Sequence, residues 1–579
     1  MNFKELNFEL QHELNTLFAA WPDTPQLLSH FDSLNLSEEN WILIPKTLAG
    51  LSPAQAKIVF SALLKKTAFA DIVAGGGSTE VLVRITALTV LSGVAPEEIL
   101  FLVSFENQPD EIRAKLSELL PEKKDAFEKL KFATASLFLQ DALKDSSFGQ
   151  SLLVRLGMIE DFAYSSKWME ILSGIRNGIN RKVYFSQVLN RKLTGSLSSV
   201  PEELRVDVEE IFRSYEVALE GRQLFDRVGM GSLIRRFYDF DRDFFLSNFA
   251  VYKRVFVDDA ERFLPGEWPV LGLFSKEGRL AACGDFSMTF YKPGDIGTET
   301  LLTGEAADVY ESDDDYRHSP TLIECLSAIS GRPRVLSSAV ADEAFVQYDA
   351  DDEDDEMEFI AFQIKQIVER GGKAPDIGVV YERYDFPQKF APLAVKYGLD
   401  CMEYPGAGLI LPLADAAAEL LEKNINAPAL EALKKHFSAK QFSAACGWFE
   451  KQLKRFGPYD AIKDRNSILI GDLRKMKERS SRAVKLVPEY YSKAYQFDFV
   501  FVPAFEDFIY PKGMKMIFYK LAARSARGLF LTRPLKRAPK LYWKKAFETE
   551  PSKLGEFLPS SFERGGGPGL LGRVLKKLL

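Results

Sequence analysis

Short apolar, β-rich runs separated by stretches of helical periodicity constrain this chain more than any other feature. They are DIVAGG (71–76), EILFLVSF (98–105), RVFVDD (254–259), LAACGDF (280–286), DIGVVYERY (376–384), FDFVFVPAF (497–505) and GLFLT (528–532). Several are continuously apolar, as a strand is when both of its faces are buried in a parallel sheet. Such strands alternating with helices predict α/β layers. The 579 residues leave room for several domain-sized units.

Two stretches break the rhythm. Residues 117–245 and 411–482 read as mostly helical, like insertions into a two-lobed α/β frame. The boundaries that follow are a helical N-terminal extension (1–50) and a first lobe in two parts (51–116 and 246–333). A second lobe, also in two parts (334–410 and 483–560), and a tail (561–579) complete the chain. The acidic run Asp349 to Phe359 reads as a solvated linker leading into a helix, its carboxylates well placed at a helix N-terminus. In the tail, Gly565 to Gly569 reads as a flexible linker and Leu570 to Leu579 as a short basic amphipathic helix.

Composition removes several classes. A net charge of −8 argues against a generally basic nucleic-acid coat protein, although it permits a local basic groove. The four cysteines lack C-x-x-C spacing and the four histidines lack ligand spacing, so a disulfide framework or a Cys/His metal site is not expected. No apolar run is long enough to span a bilayer and the N-terminus lacks a signal-peptide core, which points to the cytoplasm.

VAGGGSTEVL, Val73 to Leu82, follows an apolar run and leads into a helical pattern. Strand, glycine-rich turn and helix is the construction of a phosphate-binding loop, whose amides and helix N-terminus cradle anionic oxygens. Such a loop ends in Gly-Lys-Thr or Gly-Lys-Ser, whereas this one reads Thr79-Glu80-Val81. Around it, in order, stand LSPAQ (51–55), SGVAPEEILFLVSFENQPDEIRAKL (92–116), VFVDDAERF (255–263), GDFSMTFY (284–291), DDYRHSP (314–320), AVKLVPEYYSKAYQFDFVFVPAF (483–505) and FYKLAARSARGLFLT (518–532).

This series resembles the motifs of the UvrD/Rep-like superfamily 1 DNA helicases, which include subunits of RecBCD- and AddAB-type complexes, from about Leu51 to about Pro559. The resemblance implies two RecA-like P-loop NTPase lobes, each with an inserted helical subdomain and with ATP between them. It assigns Gln55 to reading adenine and Tyr316 to stacking on the base, Gly75 and Gly77 to the phosphate loop, and Arg317 and Arg524 to the γ-phosphate. Asp258 takes the place of the Mg²⁺-holding acid.

The same comparison exposes losses. Glu80 stands where the loop lysine belongs, and Val81 where a hydroxyl ligates Mg²⁺. Asp259 replaces the water-activating glutamate, Met288 a γ-phosphate-sensing glutamine, and Gln496 a glutamate. A carboxylate beside triphosphate oxygens repels where attraction is required. Losses across most motifs imply a decayed ATPase with no intact catalytic residue. No cofactor is certain, and ATP with Mg²⁺ would be bound without hydrolysis.

For DNA, the resemblance places Phe105 and Asn107 in one strand-binding motif, Phe290 and Tyr291 in a second, and Ser492 and Lys493 on the backbone. Phe105, Phe290 and Tyr291 are equally readable as core aromatics at strand ends. Gln108 for a lysine and Glu106 for a threonine weaken phosphate attraction. The reading is a non-catalytic DNA-binding or scaffold subunit in repair or recombination. It would bind single-stranded DNA weakly and a protein partner such as a nuclease or active helicase subunit, without a membrane. A working ATP-dependent 3′-to-5′ helicase and a pure protein-interaction scaffold are the alternatives.

Overall fold

The computed structural model describes residues 3–18, 24–34, 36–64, 67–104, 108–144, 157–159, 187–188, 191–192, 197, 200, 202–222, 224–263, 267–275, 279–288, 308–337, 339–381, 385–404, 462–489, 492, 495–505, 514–535 and 563–566. The chain divides into two compact units, Met1–Asp313 and Asp314–Leu579. Each is a mixed α/β body built on a parallel sheet.

In the first unit the strands of the main sheet are β1 (Thr67–Ile72), β2 (Ile99–Val103), β3 (Lys131–Thr134), β4 (Arg254–Val257), β5 (Leu280–Gly284) and β6 (Asp308–Ser312), and Gly157–Ile159 pairs separately with Leu224–Asp226. Those of the main sheet pair in the order β3-β2-β4-β5-β1-β6, and every pairing is parallel. Alternate residues of the strands enter two different cores. Ala68, Ala70, Ile72, Ile99, Phe101 and Val103 pack with α1 (Phe8–Phe18), α2 (Thr24–Ser33), α3 (Glu38–Leu48), α4 (Pro53–Leu64), α5 (Ser78–Leu91) and α6 (Gln108–Leu119). Phe69, Leu100, Leu102, Val255 and Val257 pack instead with helical segments drawn from residues 135–144 and 227–274. Burial on both faces explains why these strands are apolar without alternation.

Two expectations change here. The helical reading from residue 117 hid β3, which pairs with β2 at the edge of the sheet; its residues KFAT are too few and too polar to signal a strand. The N-terminal helices share one continuous core with the sheet, through Leu14, Phe18 and Trp41, and so belong to the body of the unit.

The second unit holds β7 (Ala344–Ala350), β8 (Ile377–Tyr381), β9 (Cys401–Glu403), β10 (Val484–Pro488), β11 (Phe497–Val502), β12 (Ser525–Pro534) and β13 (Glu563–Gly566). The order is β9-β10-β8-β11-β12-β7-β13, again parallel throughout. Its principal helices are α7 (Pro320–Ser330), α8 (Glu353–Glu369) and α9 (Met514–Ala522). β13 corrects the linker reading at Gly565 and Gly566, because backbone pairing with β7 needs no side chain. The second insertion lies largely outside the described residues; its end is the helix Ile462–Ser480.

The acidic run is also more than a solvated linker. Asp352 caps α8, accepting from the amides of Asp354 and Asp355, and Asp355 accepts from the Tyr348 hydroxyl. Glu356 is buried, its Oε1 accepting the Ala504 amide at 2.7 Å and the Thr532 hydroxyl at 2.7 Å. That bond fixes the turn after β11, where Ala504 has φ 48°. A left-handed alanine costs about 1–2 kcal/mol, which glycine avoids at the expense of a freer unfolded chain. Ala504→Gly should therefore raise stability by about 0.5–1 kcal/mol, read as a higher urea midpoint. A lower midpoint would refute the strain.

Candidate functional site

The first unit builds its site at the carboxyl ends of β1, β4 and β5. After β1 the chain turns through Gly75 (φ 94°) and Gly77 (φ 83°), and the Gly76 amide closes onto Val73 O at 2.8 Å. α5 then starts at Ser78 with Gly77 as its N-cap. The conformation needs glycine at 77 for a second reason: a Cβ there would lie 2.7 Å from Gln55 Nε2. Strand, glycine turn and helix are thus present in the predicted order.

Gln55 acts on the loop itself. It is buried on α4, its Nε2 donating to Gly76 O at 2.9 Å and its Oε1 accepting the Ser52 amide at 3.1 Å. The Ala74 amide donates to Asp285 Oδ2 at 2.6 Å, and the Phe286 amide to Asp71 Oδ1 at 3.0 Å. A carboxylate of the protein therefore occupies one amide of the turn.

Asp258 is fully buried, and Thr79 Oγ1 donates to its Oδ2 at 2.8 Å. Burial lifts this carboxyl well above the ordinary range, and the neighbouring Asp259 lifts it further. Asp259 sits in the left-handed region (φ 49°), its Oδ2 accepting from Gln108 Nε2 at 2.9 Å. Gln108 also accepts the Ser104 amide at 2.9 Å, so this residue works inside the site. Gly284 lets the turn after β4 approach, since a Cβ would fall 2.5 Å from Glu261 Oε2 and 2.7 Å from Ala260 N.

Glu80 is held away from the simple repulsive role expected of it. Its Oε1 accepts from Arg84 Nε at 2.7 Å, an i,i+4 ion pair along α5. Arg84 Nη1 also donates to Thr47 O at 2.8 Å, so the pair fastens α5 to the last turn of α3. Val81 is fully buried in the apolar core.

These residues do not fit a magnesium–triphosphate complex. The loop cation is absent, Val81 presents no hydroxyl, and the Thr79 hydroxyl is donated to the buried Asp258. Among the described residues no group of three His, Cys, Asp or Glu side chains is arranged to hold a metal ion.

In the second unit, Tyr316 is 37% exposed and Arg317 half-buried, in the turn before α7. That turn is organised by Asp315, which is fully buried. Its carboxylate accepts the amides of Arg317 (3.1 Å) and His318 (3.0 Å) and Arg334 Nη1 (2.7 Å), and lies 2.7 Å from His318 Nδ1. Arg334 donates in turn to the Tyr519 hydroxyl on α9. His318 Nε2 lies 3.1 Å from Ala523 O, immediately before the half-buried Arg524. The Ser319 amide reaches Ala526 O at 3.1 Å. Arg317 and Arg524, 207 positions apart in the chain by their numbers, are therefore presented by two turns bonded to one another.

Of the remaining predicted residues, Ser492 is buried with its hydroxyl on Glu489 O at 2.6 Å, and Gln496 is exposed before β11. Met288 ends a short 3₁₀ turn after β5. Phe105, Asn107, Phe290, Tyr291 and Lys493 lie outside the described residues. Sequence reasoning missed Thr79, Arg84, Gln108, His318 and Arg334 as organisers. Only the Glu80–Arg84 spacing carried a local signal, because the other contacts join distant segments. No protein-family model and no curated protein matches this chain.

Proposed function

We propose that this chain is a UvrD/Rep-like helicase homologue with two RecA-like lobes that does not hydrolyse ATP. Its role is that of a DNA-binding or scaffold subunit in DNA repair or recombination. The observation that carries the silent-ATPase part is the fate of the loop. Where that chemistry needs a lysine, Glu80 is paired with Arg84, and the hydroxyl of Thr79 is given to Asp258. Phosphoryl transfer relies almost wholly on positioning and charge stabilisation, so a loop without its cation lacks the main catalytic device. The order of the sequence motifs, together with two parallel sheets, supports the family part of the reading.

ATP turnover with and without single-stranded DNA tests it. Turnover is expected to equal that of an Asp258→Ala control under both conditions. DNA-stimulated turnover well above the control would overturn the silent reading and favour the working helicase. Single-stranded DNA binding should be weak and fall with added salt. Absence of any salt-sensitive binding would remove DNA from the proposal and leave the protein-interaction scaffold.

A further inference from the structure

The cluster of Asp315, His318, Arg334 and Tyr519 is built unlike an ordinary buried ion pair. One carboxylate serves Arg334 and His318 together, and all three side chains lack solvent contact. The other end of the imidazole faces Ala523 O, a group that can only accept. Neither single-proton tautomer satisfies both ends. With the proton on Nδ1, Asp315 is served and Nε2 meets a carbonyl lone pair. With the proton on Nε2, Ala523 is served and a lone pair faces the carboxylate.

Proton uptake would satisfy both ends but add a second cation to a carboxylate already paired with Arg334. The gain is one hydrogen bond to Ala523, about 1 kcal/mol, together with a stronger attraction to Asp315, whose charge Arg334 already shares. The cost of carrying another charge where water is absent is several kcal/mol, so the charge term wins. Among the described residues, the charged groups that act on the ring are Asp315 and Arg317 on its own turn and Arg334, which in turn donates to Tyr519 on α9. Burial pushes the imidazole below its ordinary value, Asp315 pulls it back up, and Arg317 and Arg334 push it down again. A group lowered in this way favours the closed cluster at neutral pH and opposes it as pH falls below the ordinary imidazole range.

We infer that His318 is an acid-sensitive latch: neutral, it packs the Tyr316–Arg317 turn against the Ala523–Arg524 turn, and on protonation it loosens them. The latch would set how firmly Tyr316, Arg317 and Arg524 are presented together. It stands on the geometry of this unit and is independent of whether the chain binds DNA or nucleotide.

Hydrogen–deuterium exchange of the full chain, compared with His318→Asn at each pH, tests the latch because intrinsic exchange rates cancel. Asparagine retains an N–H for Asp315 and does not titrate. Between pH 8 and about 5.5, the wild-type to variant protection ratio of segments 315–319 and 519–526 is expected to fall several-fold. A flat or rising ratio overturns the latch. If His318→Asn fails to fold, His318→Gln takes its place. If neither folds, exchange of the wild type, corrected for intrinsic rate, is compared with segment 377–381 of the same unit. Equal pH profiles in the two places would overturn the inference as well.

Discussion

Asp315→Ala is expected to destabilise the protein by about 3–5 kcal/mol, the range for removing one partner of a buried ion pair. The substitution strands Arg334 and His318 without their shared carboxylate in a site that water does not reach. It also leaves the amides of Arg317 and His318 without their acceptor. Urea unfolding measures the loss, and Asp315→Asn, which keeps an acceptor but no charge, should fall between wild type and alanine. A loss below about 1 kcal/mol would place the pair among surface-like ion pairs and refute the buried network. The pH dependence has a definite sign. Burial acts to raise this carboxyl, but His318 and Arg334 outweigh it and hold it well below its ordinary value. Its contribution is therefore complete above about pH 4 and is lost as pH falls through the lowered value.

Installing the lysine and threonine that the proposed family reading calls for, Glu80→Lys with Val81→Thr, should harm the protein and yield no ATP turnover. Glu80→Lys replaces the partner of Arg84 with a like charge, and Arg84 is also tied to the carbonyl of Thr47. Val81→Thr places a hydroxyl in a fully buried apolar position. Together these changes should cost about 1–3 kcal/mol, discounted because Glu80 is partly exposed, while ATP turnover stays at background. On the proposed reading turnover stays absent because Asp259, Met288 and Gln496 remain, and the Thr79 hydroxyl still donates to Asp258. Unfolding and ATPase assays on the double variant read the two effects separately. Robust turnover would show that the loop alone had silenced the protein.

Much of the fold was readable because burial on both faces leaves a signature in composition. The runs around Ile99–Val103 and Ile377–Tyr381 are continuously apolar, that around Phe497–Val502 is broken only by Asp498, and all three stand as strands. β3, β13 and the buried Glu356 were not readable. KFAT and ERGG carry no apolar pattern, and a carboxylate in an acidic run gives no sign that two donors await it.

The candidate site divides in the same way. A glycine turn between a strand and a helix was legible at Val73–Leu82, because glycine adopts the left-handed angles seen at Gly75 and Gly77 without steric cost. The Glu80–Arg84 pair follows from helical spacing. What occupies Asp258, what Gln55 and Gln108 hold, and how Arg317 comes beside Arg524 were decided only in three dimensions. The sequence by itself determined the apolar strands, the principal helices and the glycine turn, since those depend on neighbours along the chain, whereas β3 and β13 exist only through pairing with distant strands. Tertiary structure decided which polar groups satisfy one another, since a buried donor takes whichever acceptor the folded sheet brings within about 3 Å of it.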